Sequence, residues 1–204
     1  TESSISVFCT SEEWLAHPGT VGRALPDCTV RVFKEDGSES ACGEIGDVYA
    51  RLHTIADFTY QNRHAERQEM EHEGLITSGD IGYVDADGFL YLCDRRKDMV
   101  ISGGVNLYPA EIEAALILHD DVADCAVFGV PDDEFGESLM AVIQPRPGAT
   151  PDIDSLKAFL RERIAGLKVP KHFDFQNDLP REDSGKIFKR KLREPYWADA
   201  GRSI

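Results

Sequence analysis

The chain has 204 residues, with 22 Lys and Arg against 37 Asp and Glu, so its formal net charge is −15 at pH 7; 42% of its residues are hydrophobic and 29% charged. That mix excludes wholesale disorder, and the length fits one large domain or two small ones. The acidic excess excludes a nucleic-acid partner held through its phosphates, no apolar run approaches the roughly 20 residues of a membrane span, and no basic stretch leading into an apolar one opens the chain as a secretory leader would.

The first half reads as strands and turns. Cys28–Phe33 alternates, with Val30 and Val32 on one face and Thr29 and Arg31 on the other, and Lys34-Glu35-Asp36-Gly37 then turns the chain. Residues 45–52 are a second strand. Residues 62–73 are strongly charged and predict a short surface helix. Residues 81–84 and 89–93 flank Asp85-Ala86-Asp87-Gly88, which is a hairpin signal. Together these predict a small antiparallel sheet or open barrel.

The second half alternates helices and strands. Pro109 suits the first turn of a helix over 110–119, with Ile112, Ala115 and Leu116 on one face. Residues 122–130 and 139–144 read as strands, and Arg146-Pro147-Gly148-Ala149-Thr150-Pro151 as a loop. Residues 155–165 form an amphipathic helix with Leu156, Phe159, Leu160 and Ile164 inward, capped by Asp154 and ended by Gly166. A compact α+β module is expected from about residue 95 onward. The fold class is therefore α+β, a small antiparallel β subdomain over 1–93 followed by a compact α+β domain over 94–204.

Charge follows the same division. Residues 1–156 carry 10 basic and 30 acidic side chains, whereas 157–204 carry 12 basic and 7 acidic. The basic end is either a solvated face or a local anion site. Cys9, Cys28, Cys42, Cys93 and Cys125 are odd in number and widely spaced, which argues against a zinc site and fits a reducing cytoplasm. His17, His53, His64, His72, His119 and His172 are scattered and read as surface or core.

Three glycine-containing segments can carry chemistry. Gly74-Leu75-Ile76-Thr77-Ser78-Gly79-Asp80 is either an ordinary turn or a place where a ligand nears the backbone while Asp80 accepts bonds from a diol. Asp94-Arg95-Arg96-Lys97-Asp98 leads through a short apolar strand to Gly103-Gly104 and then to the helix at Pro109. That double glycine is either a tight turn or a path for a thin ligand, and it lacks the spacing of a phosphate loop. In Ser184-Gly185-Lys186-Ile187, a lysine on a glycine-hinged loop can meet an anion as a point charge; the alternative is a frayed basic C-terminus.

In this order and spacing the three segments resemble the adenylate-forming enzymes: acyl-CoA synthetases, peptide-synthetase adenylation domains and luciferases. Asp94-Arg95-Arg96-Lys97-Asp98 through Pro109-Ala110-Glu111-Ile112-Glu113 is similar to that family's hinge signature, and Ser184-Gly185-Lys186-Ile187 to its C-terminal lysine loop. Thr1-Glu2 resembles the end of the family's Y-G-x-T-E motif, and the stretch from Gly19 to Pro26 fits at the right distance. The family's G-W-x-x-T-G-D appears with Leu75 for Trp and Ser78 for Thr, Asp80 being intact. The resemblance runs from Thr1 to about Trp197 and places the chain in the C-terminal portion of such an enzyme, the last subdomain of the large lobe plus the small mobile lobe. The N-terminal lobe would be its missing partner.

The resemblance implies ATP, Mg²⁺ and CoA as cofactor and co-substrates, and a small carboxylic acid as substrate. Lys186 is then the catalytic cation between carboxylate and α-phosphate. Asp80 holds the ribose hydroxyls, Arg95 contacts ribose and nucleotide, Thr1 touches the α-phosphate and Glu2 helps hold Mg²⁺. Asp94 is the hinge, and Gly103 and Gly104 line the path of CoA pantetheine. The run from Ile187 to Arg193 favours an acyl- or aryl-CoA ligase over a peptide-synthetase-type adenylation domain, and its charges suit CoA phosphates. A non-catalytic interaction or regulatory module retaining the fold is the remaining alternative. By itself the chain is expected to show little or no ligase activity.

Overall fold

The computed structural model describes residues 7–198. In chain order the elements are β1 (Val7–Phe8), α1 (Ser11–Ala16), β2 (Gly22–Ala24), β3 (Cys28–Phe33), β4 (Gly46–Leu52), α2 (His64–Glu69), β5 (Glu71–His72), β6 (Leu75–Val84) and β7 (Phe89–Arg95). Then follow β8 (Val100–Ser102), β9 (Val105–Leu107), α3 (Pro109–Leu116), β10 (Val122–Asp132), β11 (Gly136–Pro145), α4 (Ile153–Arg161), β12 (His172–Phe175) and α5 (Lys189–Trp197). The chain divides into two compact units, between Lys97 and Asp98.

The first unit is an antiparallel sheet of seven strands among the described residues, in the order β1-β2-β7-β6-β4-β3, with β5 on β6. Its alternation works as the sequence suggests: Val32 and Val48 pair across β3 and β4 and are buried with Leu90. The hairpin between β6 and β7 turns on Asp85, whose carboxylate accepts the N–H groups of Asp87 and Phe89.

The second unit carries β10, β11, β8 and β9 in that order, with β12 parallel to β11. Both faces of its central hairpin are covered. Val127, Ala141 and Ile143 pack with Ile112, Leu116, Leu156 and Leu160 from α3 and α4. Ala126, Phe128, Met140 and Val142 pack with Leu179 and Leu192. That two-sided burial is why β10 is apolar at nearly every position rather than at alternate ones. Leu156 is fully buried, so Leu156→Ala should cost about 2–5 kcal/mol. A fall in the urea midpoint at unchanged slope would measure it.

Four expectations need correction. The charged segment 62–73 is helical only over His64–Glu69: Asn62 has left-handed backbone before it, and after it Glu71 and His72 pair with Ile76 and Leu75 of β6 as strand β5. The amphipathic helix starts earlier than its apolar pattern: Asp152, not Asp154, accepts the N–H of Ser155 as its cap. It ends at Arg161, and Gly166 opens a separate 3-10 turn over Gly166–Lys168. The Ser78-Gly79-Asp80 segment lies inside β6 rather than in a turn.

One short helix has a signal in the sequence that periodicity misses. Thr10 accepts from the N–H of Glu13 at 3.2 Å, and Glu13 accepts from the N–H of Thr10 at 2.8 Å. This capping box starts α1 although none of the helix's residues is buried.

Candidate functional site

Asp80 sits at an irregularity of β6. Between the pairs Asp47–Ile81 and Tyr49–Thr77, β6 has extra residues that bulge away from β4. The bulge turns the Asp80 carboxylate toward β7, where Asp80 is directly opposite Arg95. Asp80 Oδ1 lies 2.7 Å from Arg95 Nε, and Oδ2 accepts the Ser78 hydroxyl at 2.5 Å. Arg95 Nη1 also donates to the Ser78 carbonyl at 3.2 Å. The carboxylate is largely covered while half of the guanidinium is open to solvent. A carboxylate has about four lone-pair sites, so these two bonds leave acceptor capacity for a pair of hydroxyls.

Beyond Arg95 the chain stays tied to the first unit. Asp94 pairs with Ile81 in the sheet and its Oδ1 accepts the N–H of Arg95 at 2.7 Å. Arg96 bonds Asp47 and reaches Glu35 at 3.3 Å, and the Asp47 carboxylate raises its pKa. Asp94 is thus an interior residue of β7. The two compact units divide between Lys97 and Asp98.

In the second unit, Gly103 and Gly104 form the two-residue turn between β8 and β9, where Ser102 pairs with Val105. Both have positive φ, +57° and +80°, as the mirror-image turn of a tight hairpin requires. The Gly103 N–H donates to the Phe135 carbonyl at 2.9 Å, and a Cβ on Gly103 would lie 2.9 Å from the Phe135 ring. Lys171 covers that ring at 4.3 Å and pairs with Asp132 at 2.9 Å. The Lys171 ammonium and the N–H of Phe135 hold the Asp132 carboxyl down at about 2.

Lys186 is on a small hairpin before α5. Arg181 bridges to Ile187, the N–H of Glu182 donates to the Lys186 carbonyl at 2.8 Å, and the N–H of Gly185 donates to the Glu182 carbonyl at 2.8 Å. Gly185, at φ +84°, closes the loop in the manner of a three-residue hairpin turn. Ile187 packs against the core beneath, so strand alternation turns its neighbour Lys186 outward. Lys186 is exposed, and its amine has no ion pair or hydrogen bond among the described residues. The basic run after it is partly spent internally: Lys189 pairs with Glu113 at 2.7 Å and Arg190 with Glu194 at 2.7 Å.

The structure brings Asp80 and Arg95 together in one unit and sets Gly103-Gly104 and Lys186 on two separate hairpins of the other. Thr1 and Glu2 lie outside the described residues. Arg181 and Asp124, which join at 2.5 Å beside the lysine loop, were not anticipated, because their partnership spans 57 residues. His17, Asp85 and Asp87 also cluster within 4.8 Å, but Asp85 is already committed to its own hairpin. Among the described residues no helix is long and apolar enough to cross a membrane.

Residues 111–186 match the family described as the AMP-binding enzyme C-terminal domain. The chain is 38% identical over 194 residues to 2-succinylbenzoate–CoA ligase of Geobacillus kaustophilus, covering 95% of this chain and 39% of that protein. It is 37% identical to a long-chain-fatty-acid–CoA ligase of Bacillus subtilis, covering 87% of this chain and 32% of that protein. Its fold is similar to o-succinylbenzoate CoA synthetase of Bacillus subtilis in complex with the acyl-adenylate intermediate, with a TM-score of 0.87 and 32% identity over 94% of this chain and 39% of that one. That enzyme has also been solved with ATP and a magnesium ion. The chain thus spans about two-fifths or less of the length of these relatives.

Proposed function

Because the chain belongs to the adenylate-forming superfamily, whose C-terminal portion it represents, we propose that it serves an AMP-forming acid–CoA ligase acting on a fatty or aromatic acid. A substrate carboxylate attacks the α-phosphate of ATP, giving acyl-AMP and pyrophosphate. The CoA thiol then attacks the acyl carbon, and AMP leaves. The first step brings two anions together, so its transition state calls for a positioned cation. Lys186 is that cation, and the observation that carries the reading is its exposed amine, unpartnered among the described residues, on a well-bonded hairpin.

Asp80 takes the ribose hydroxyls with the acceptor capacity that Ser78 and Arg95 leave it, and Arg95 presents its open side to the nucleotide. Thr1 touches the α-phosphate, and Glu2 is the candidate ligand for the Mg²⁺ that accompanies the triphosphate. Gly104, which has open space where a side chain would stand, gives a thin chain such as pantetheine an approach to backbone, while the Phe135 ring lies against Gly103. Lys186 must withdraw before the thiol attacks, and a rotation of the second unit would accomplish that. Asp94 is the hinge of that rotation, next to Arg95 and Arg96, which are bonded within the first unit. The five free cysteines suit a reducing compartment, the cytoplasm.

A screen of carboxylic acids with ATP on the complete protein tests the reading. Pyrophosphate release that depends on one class of acid, followed by AMP release that depends on CoA, is the expected result. No pyrophosphate release with any acid would favour a non-catalytic module, and AMP release to a carrier-protein thiol alone would favour a peptide-synthetase-type domain.

A further inference from the structure

We infer that Arg181 is the positioning residue of Lys186: held by Asp124 on β10, its guanidinium fixes the Gly185 carbonyl and so sets the direction in which the lysine amine projects. The inference rests on the reading of Lys186 as the adenylation cation.

The lysine hairpin is well bonded internally. The amide contacts between Glu182 and Lys186 and between Gly185 and Glu182 shape its tip, and the N–H of Phe188 donates to the Pro180 carbonyl at 2.7 Å at its base. These bonds do not hold the tip against the sheet. Residues 182–186 are all exposed, and among the described residues their side chains make no bond to the sheet.

Arg181 supplies that tie. Nη1 donates to the Gly185 carbonyl at 3.0 Å, and Nη2 donates to Asp124 Oδ2 at 2.5 Å. The guanidinium is planar, so its two donors keep a fixed relation, and the carbonyl of Gly185 is registered against β10. That carbonyl shares one rigid peptide plane with the N–H of Lys186. Orienting the plane orients the first bond of the lysine side chain. Asp124 is itself held: its Oδ1 accepts the N–H of Cys125 at 2.9 Å, at the irregularity where β10 leaves its register.

The pair is partly exposed on both sides. Such pairs add little to stability, but displacement of a reacting group by about 1 Å can cost about 10²-fold in rate. The contact therefore acts on geometry more than on folding.

The test uses the complete protein with Arg181→Gln, Arg181→Lys, Asp124→Asn, Lys186→Ala and the double variant Arg181→Gln/Lys186→Ala. Acyl-adenylate formation and thioester formation from preformed acyl-AMP are measured separately. Arg181→Gln should lower kcat of adenylation by about 10- to 10²-fold, with KM for ATP and the thioester step unchanged. Arg181→Lys, which has charge without the fork, should recover only part of the rate, and Asp124→Asn should lose less than Arg181→Gln. In the Lys186→Ala background, Arg181→Gln should cost nothing further, because its route runs through the lysine. A silent Arg181→Gln beside an impaired Lys186→Ala overturns this inference alone. So does a loss that persists in the double variant, a loss shared by both half reactions, or full recovery with lysine. A silent Lys186→Ala overturns the reading of the lysine and this inference with it.

Discussion

Replacing Lys186 with alanine in the complete protein should lower acyl-adenylate formation by about 10²- to 10³-fold, the usual cost of removing one preorganised charge-stabilising group, while thioester formation from preformed acyl-AMP stays within a few-fold of the parent. The asymmetry follows from where charge builds up. Two anions meet only in the first step, and the second transfers an acyl group already freed of that repulsion. The fold should tolerate the change. The hairpin is held by main-chain bonds between Glu182 and Lys186 and by the left-handed Gly185, neither of which needs the amine. The side chain is exposed, so the stability change should stay within about 0.5 kcal/mol. Single-turnover measurements of pyrophosphate release and of acyl-CoA formation separate the two steps. Equal loss in both would assign Lys186 to folding or to general binding, and no loss in either would remove it from the chemistry.

How far the sequence could be read depended on the range of each interaction. The β3 strand, the hairpin turn at Asp85 and the start of α3 at Pro109 depend on residues close in the chain, and the structure has them where local patterns put them. The capping box at Thr10 and Glu13 is equally local; it could have been found by its spacing although α1 buries nothing. The start of α4 was misplaced because Asp152 and Asp154 are both competent caps, and only the backbone decides which is used. The bulge in β6 was invisible for a different reason. It exists because β4 and β6 pair out of step, and a strand that departs from register has the same composition as a turn. For the site, residue types marked Asp80, Arg95 and Lys186 through family resemblance. Their surroundings were another matter: the Arg181–Asp124 tie joins residues 57 apart, and no periodicity reports a contact of that span.

Asp80→Asn tests the nucleotide end of the site. The amide keeps the shape of the carboxylate but gives up its charge and one acceptor oxygen. Hydrogen bonds to a charged group contribute about 1.5–3 kcal/mol, so losing their charge assistance should raise KM for ATP by about 10- to 10²-fold, with a smaller effect on kcat. The Arg95 guanidinium, left without its anion, is half open to water, so water can take the place of the lost partner and the cost to folding should be about 1 kcal/mol. A loss of nucleotide affinity would therefore not be a disguised loss of structure. The decisive comparison uses 2′,3′-dideoxy-ATP. If Asp80 reads the ribose hydroxyls, the parent protein should discriminate against the dideoxy nucleotide and the Asn variant should discriminate far less, because the cycle removes both ends of one interaction. Two independent penalties that simply add would mean that Asp80 does not face the ribose. Its bonds to Ser78 and Arg95 would then serve only to fasten β6 to β7 at the point where the strand leaves its register.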